Sequence, residues 1–437
     1  MTNSPNLSTK FRAALKAELP AWVQDGLLSA EGAEQLTQRY QLDKLEKESS
    51  RLLAAVLFTL GSLLLGGGVI SFVAAHWEEL PVGVKVALVF AMLLAFHLTG
   101  YWLRFKRDSP RLGHALLFCG SLVFGANIGL MAQIFHVSGD WYRAYLAWGV
   151  GALVMAWAVN SWLTGVLALV TTFVWFVGFA DDAHERAATA YPFLLAAVLL
   201  PLAWRSGSRV LYTLTFLGLI CALPALAGIE SDSGLNVLLA LMVGGFLTWT
   251  AGEFHRTTGN KPEFGNPLAM LGLVVLAGCS YVWSFHYVWD HSWTQQWRAF
   301  YWLLPTGVAL ALGVALLIQS WTSPRSDRLF SYAILLALLL SIGAVVLSRG
   351  RIALPTVAMN LAALLFAAIS IGKGIADQRR LAFWAGTLFL VLLILSRFFE
   401  YETGLLLKSA AFIGCGVLIL FAGLAYERFL QRREVTQ

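Results

Sequence analysis

Gln133, His136 and Asp140 stand three and four residues apart in "NIGLMAQIFHVSGDWYRAY", residues 127–145. On a continuous helix an amide, an imidazole and a carboxylate at this spacing would share one face. A carboxylate that fixes the tautomer of an imidazole is the usual arrangement of a general base and its orienting group. Further along, "LSRFFEYETG" puts Glu400 three residues after Arg397, the spacing of a helical ion pair, and Lys408 follows. Arg397 and Lys408 are the types of side chain that hold a phosphate. Lys85 completes this set, and His97 and Asn127 are polar positions deep in apolar sequence. Intramembrane polar groups are costly and mark candidate sites, although many only bond one helix to the next.

What positions these residues is a membrane. Of 437 residues 58% are hydrophobic and only 13% are charged, with a mean hydropathy of +0.69. Soluble domains carry about twice that charge, so too little polar surface remains to cover a water-soluble particle. The fold class expected is all-α, a polytopic bundle of about fourteen transmembrane helices. Stretches long enough to cross hydrocarbon fall near 52–75, 82–103, 112–135, 142–159, 161–180, 191–204, 209–228, 235–252, 266–288, 300–321, 329–348, 352–373, 381–397 and 404–425. The sixth is short and holds Pro201, which leaves thirteen open.

Three parts are expected: a cytoplasmic amphipathic helical hairpin over 1–50, the bundle over 51–426, and a basic tail over 427–437. In the hairpin Gly26 suits a helix C-cap and Ser29 an N-cap, and Leu27 and Leu28 could meet Trp22, Leu36 and Tyr40. No apolar core of a signal peptide opens the chain, so the first span is expected to direct insertion.

With the N-terminus inside, 23 Lys and Arg fall in inner loops and tails and six in outer ones. That asymmetry obeys the positive-inside rule and supports an even number of spans. It also accounts for the net charge of +6 without a nucleic-acid partner. Lys85, Gln133, His136, Asp140, Arg397, Glu400 and Lys408 then lie at the outer side, and the pocket reading is that several of them converge there. Cys119, Cys221, Cys279 and Cys415 sit in apolar spans with no CxxC pair and read as small buried hydrophobes. Gly125 and Gly129 form a GxxxG pair for close helix approach. There is no Walker loop, HExxH, GxSxG or His/Cys cluster, so no catalytic, metal or cofactor site is expected.

Three segments carry a resemblance: "AWVQDGLLSAEGAEQLTQRY", "AAHWEELPVGVKVALVFAMLLAFHLTGYWL" and "NIGLMAQIFHVSGDWYRAYLAWGVGALVMAWAVNS". They resemble the DUF2157 family of predicted bacterial membrane proteins over about the first 165 residues. The closing "SRFFEYETGLLLKSAAFIGCGVLILFAGLAYERFLQRR" looks like the end of many such proteins and of the DUF4401 type. The resemblance implies a bacterial inner membrane and points to Trp77, Glu78, Lys85, Gln133, His136, Asp140, Arg397 and Glu400. It implies an Asn-Trp pair where this chain has His76-Trp77, and it supplies no activity. Many spans, short loops and no catalytic motif suit a carrier or flippase-like transporter opening to the outer side. The alternatives are a scaffold or regulator that binds another membrane or periplasmic protein, and a membrane-embedded enzyme acting on a lipid or glycan. Membrane lipids are the expected partners in every case.

Overall fold

The computed structural model describes residues 9–40, 79–107, 109–181, 190–228, 234–258, 261–290, 307, 310–311, 313–319, 321–322, 328–347, 353–401 and 404–434. Every regular element among them is helical. The expected first span, 52–75, and half of the tenth lie outside the described residues, as do His76, Trp77 and Glu78. Two compact units divide the chain, Met1–Leu88 and Val89–Gln437.

In the first unit α1 (Thr9–Gln24) and α2 (Ala30–Tyr40) flank a tight turn. Gly26 takes φ +72°, the left-handed conformation a residue without Cβ adopts at little cost. Its N–H reaches Val23 O at 3.2 Å, and Leu27 N–H reaches Trp22 O at 2.9 Å, which is the paired closure of a Schellman end. Ser29 Oγ accepts the Gly32 N–H at 3.1 Å, the N-cap bond its type suggests. Leu27 does not join an apolar contact: it is 75% exposed, because the turn points it away.

The remaining helices are α3 (Val82–Phe105), α4 (Pro110–Ile134), α5 (Trp141–Ala158), α6 (Trp162–Asp181), α7 (Tyr191–Ser206), α8 (Arg209–Gly228), α9 (Gly234–Thr258), α10 (Gly265–Val282), the short α11 (Tyr287–Asp290), α12 (Arg328–Leu347), α13 (Ala353–Ala376), α14 (Arg380–Glu400) and α15 (Leu405–Glu434). Each expected span from 82 to 425, apart from the tenth, has a helix in its place. Seven stretches are long and apolar enough to cross a membrane: Val82–Phe105, Leu112–Ile134, Trp162–Ala180, Pro262–Val282, Ala353–Ala376, Arg380–Glu400 and Leu405–Arg428. Three shorter apolar stretches accompany them, Tyr191–Ser206, Arg209–Pro224 and Phe330–Gly343. α10 stops at Val282 rather than near 288, and α15 runs without a break to Glu434.

Between apolar helices in lipid there is no water to expel, so close packing of small residues must hold them. The α9–α10 hairpin shows how. A Cβ on Gly252 would lie 2.3 Å from Ala269 N, and one on Gly272 would lie 2.4 Å from Trp249 N. The two backbones touch along this seam. Gly113 against Arg104 does the same for α3–α4, and Gly374 against Phe383 for α13–α14. The Gly125/Gly129 pair is only half used: Gly125 lies under the Trp148 ring, whereas Gly129 meets nothing within 4 Å.

α7 carries a π turn over Leu195–Leu199 with Leu200 N–H reaching back to Leu195 O. Pro201 explains it. The ring lacks an N–H and crowds the carbonyl four residues back, and the wider turn relieves that clash. Leu195, Leu199 and Leu202 are fully buried in one core with Tyr191, Leu211 and Phe264. A second core joins Phe246 and Trp249 of α9 to Leu276, Ile334 and Met359. Of the cysteines, Cys279 and Cys415 are buried as expected, Cys119 is half-buried, and Cys221 lies on the outside of its helix.

Candidate functional site

α10 stops at Val282 with Trp283 as its C-cap, and the chain bends through 283–286 before α11. A helix end in an apolar setting leaves carbonyls that need donors. Two other helices supply them. Asn360 Nδ2 of α13 donates to Ser284 O at 2.9 Å and to Thr356 O at 2.8 Å. Arg397 Nη1, in the last turn of α14, donates to Ser284 O at 2.6 Å, and its Nη2 donates to Ser284 Oγ at 3.1 Å. A cation at this place also meets the negative end of the α10 dipole.

Glu400 completes the cluster. Its Oε2 accepts from Arg397 Nη1 at 2.5 Å, and its Oε1 accepts the backbone N–H of His286. The Glu400 side chain is 3% exposed and that of Arg397 19%. The guanidinium also lies 4.2 Å from the centre of the Phe285 ring, a cation–π contact. The ring of His286 brings Nδ1 to 3.9 Å from Glu400 Oε1 and is half-exposed. Beside this cluster is an open cavity of about 650 Å³, walled by Tyr281, Phe285, Leu392 and Phe399 and edged by His286 and Glu400. Its chemistry is two-sided, with hydrocarbon and aromatic rings on one side and a carboxylate and an imidazole on the other.

The other residues singled out by sequence have these places. α4 ends at Ile134, and His136 takes φ +51° in the bend that follows, so Gln133, His136 and Asp140 share no helix face. Gln133 and His136 are exposed. Asp140 precedes α5 and pairs with Arg143 at 2.7 Å in an exposed position. Asn127 is buried and donates to Val89 O at 3.0 Å, stitching α4 to α3. His97 Nδ1 lies 2.9 Å from Leu93 O in its own helix. Lys408, in the first turn of α15, rests its ammonium 5.8 Å from the centre of the Phe399 ring. Lys85 stands in the first turn of α3 and belongs to the first unit. Arg397 and Glu400 are thus joined as an ion pair, and neither His136 nor Asp140 lines the cavity beside them.

A second polar cluster has no counterpart in the sequence reading. Arg104 Nη1 donates to His114 Nδ1 at 2.9 Å, and its Nη2 donates to Val159 O. His114 Nε2 lies 2.7 Å from Ser161 Oγ, which also caps α6 by accepting Thr164 N–H at 3.2 Å. A serine hydroxyl at this distance from an imidazole suggests a nucleophile and its base, but the wiring is reversed. Arginine can only donate, so Nδ1 is the acceptor and Nε2 carries the proton. That imidazole gives a hydrogen to Ser161 and cannot take one. The cluster ties the α3–α4 turn to the α5–α6 turn, where Asn160 sits at φ +48°. The signal in sequence was polar side chains just inside the ends of apolar spans, but partners ten and 47 residues apart carry no periodicity.

These contacts also sort the helix ends. Arg205 lies 5.9 Å from the Trp157 ring centre, and Lys261 donates to Trp204 O, so Arg104, Ser161, Arg205 and Lys261 gather at one end. Ser284, at the far end of α10, gathers with Arg397 and Asn360 at the other.

No curated protein and no solved structure matches the chain. A family model does, over residues 20–165, a stretch that holds the whole Arg104–His114–Ser161 network and stops well short of Arg397. Over those residues the chain matches the model of the DUF2157 family of predicted membrane proteins.

Proposed function

We propose that this protein is a carrier of the flippase-like kind that takes an amphipathic lipid through the cavity beside Arg397 and Glu400. In this reading it is a bacterial inner-membrane protein with fourteen crossings and both termini in the cytoplasm. The basic turns at 104–110, 206–209 and 258–262 face inward, and the cavity opens to the outer side. The observation that carries the reading is the cavity's two-sided lining: Tyr281, Leu392 and Phe399 for a hydrocarbon portion, His286 and Glu400 for a polar head. Its size falls within the ~300–1,000 Å³ of small-molecule sites. The break at 283–286 also supports it, since discontinuous helices are where carriers place their ligands.

The test is lipid exchange between leaflets. The purified protein is reconstituted into vesicles holding a fluorescent phospholipid, and a membrane-impermeant quencher reads the fraction exposed. Wild type is expected to raise exchange above empty vesicles, and Leu392→Trp, which fills the cavity, to abolish the increase. Exchange equal to that of empty vesicles, or unaffected by Leu392→Trp, overturns the proposal.

A second reading is a scaffold that binds another membrane or periplasmic protein. α15 favours it: Leu406, Ile413, Leu420 and Phe421 are each at least 66% exposed, and Cys415 and Tyr426 are its buried contacts. Such a helix offers a long apolar face to lipid or to a partner. Co-purification of a stoichiometric partner that is lost when α15 is made polar would favour the scaffold.

A further inference from the structure

A separate cavity of about 300 Å³ opens among α3, α4 and α5. Its walls are Leu94, Phe124 and Met155, and its floor is Gly151, where a Cβ would strike the Phe124 ring at 2.3 Å. Two polar side chains reach it, His97 and Ser121. His97 lies eight residues from the end of α3, roughly 12 Å at 1.5 Å per residue, which puts it within hydrocarbon in a spanning helix. Its ring lies flat on α4 because Gly120 has no side chain; a Cβ there would be 2.6 Å from Cε1.

The hydrogen bonds decide what the cavity offers. Leu93 O can only accept, so the bond at 2.9 Å requires the proton on His97 Nδ1. With the proton on Nδ1, the neutral form of the ring presents Nε2 as a bare acceptor, to which no described residue donates. Ser121 Oγ donates its hydrogen to Leu117 O at 3.1 Å, which leaves lone pairs there as well. Both polar atoms at the cavity are acceptors, and every other wall is apolar. An acceptor at this depth has no water to bond and gains most from a ligand that brings a donor.

We infer that this cavity binds a neutral lipid alcohol, a largely hydrocarbon molecule whose one polar group is a free hydroxyl that donates to His97 Nε2. The hydrocarbon fills the space between Phe124 and Met155. A phospholipid is a poor fit, because its phosphate brings more acceptors to a site that has no donor. This site is distinct from the cavity beside Glu400 and stands or falls independently of it.

The experiment uses the full chain in lipid nanodiscs and two photoreactive probes, a long-chain primary alcohol carrying a diazirine and its methyl ether. The alcohol is expected to label peptides from α3, α4 and α5. Unlabelled alcohol should compete about fivefold better than unlabelled ether, the ratio expected of one net hydrogen bond. His97→Phe should erase that ratio. Met155→Trp fills the cavity and leaves His97 in place, so it should abolish labelling by both probes, and it serves if His97→Phe does not fold. Equal competition by alcohol and ether, labelling that survives Met155→Trp, or no labelling of these helices overturns the inference.

Discussion

Arg397→Met tests how much the Arg397–Glu400 cluster contributes to the bundle. Methionine keeps the unbranched apolar stem and removes the guanidinium. Glu400 then loses its cation while its side chain stays 3% exposed, and Ser284 Oγ loses the Arg397 donor. Removing one member of a buried ion pair costs about 3–5 kcal/mol. Arg397 is partly open at 19%, and hydrogen bonds in membrane bundles average less than 1 kcal/mol. The expected loss is therefore at the low end, about 3 kcal/mol, or roughly a hundredfold in the unfolding equilibrium. Glu400→Leu removes the other partner, and the double variant removes both. The two single losses should exceed the double loss by about 2 kcal/mol, because the second change no longer strands a charge. Reversible unfolding in mixed micelles of rising SDS fraction, followed by tryptophan fluorescence, measures all three. A loss below about 1 kcal/mol for Arg397→Met, or single effects that add within about 0.5 kcal/mol, would refute the coupling drawn from the geometry.

Gly272→Ala should cost about 1–3 kcal/mol in the same assay, since its Cβ would meet backbone at 2.4 Å. Gly278→Ala, with nothing within 4 Å, should be neutral or stabilising by up to about 1 kcal/mol; equal losses at both sites would remove the case for the α9–α10 seam. His114→Gln can still accept from Arg104 and donate to Ser161, and should lie within about 1 kcal/mol of wild type, whereas His114→Phe strands both partners and should lose about 2–3 kcal/mol. Like effects of Gln and Phe would show that those bonds contribute little. In a cysteine-free background, Arg107→Cys, Gly207→Cys and Gln378→Cys should react with an impermeant maleimide from the cytoplasmic side, and Ser138→Cys and Tyr401→Cys from the opposite one. Reaction of Gly207→Cys and Ser138→Cys from the same side would sink the proposed topology.

The long helices were legible because burial in lipid writes itself as composition: long apolar runs separated by charged turns predict where α3 to α10 and α12 to α15 lie. The Gly26–Ser29 turn was legible for a local reason, since its caps lie within a few residues of the groups they serve. Arg397 and Glu400 were legible as an i,i+3 pair, but their main partner was not. Ser284 comes from a helix more than a hundred residues earlier, and only the early stop of α10 exposes its carbonyl. The Gln133–His136–Asp140 expectation failed where α4 ended at Ile134, because no sequence signal fixed the last turn to better than a residue or two. Arg104, His114 and Ser161 were invisible for the same reason as Ser284. Their order in space is set by helix packing, which single-residue types do not encode.

Ser284 O has two lone pairs, and Asn360 and Arg397 use one each. In the present arrangement that oxygen is fully used and has nothing left to offer a solute. A donor that reaches that oxygen must displace one of the two residents. If Arg397 is the one displaced, its hold on Glu400 loosens with it, and the ends of α10 and α14 are no longer fastened at a common atom. A solute donor in Arg397's place and attachment of these helices through Arg397 are then mutually exclusive states of a single carbonyl.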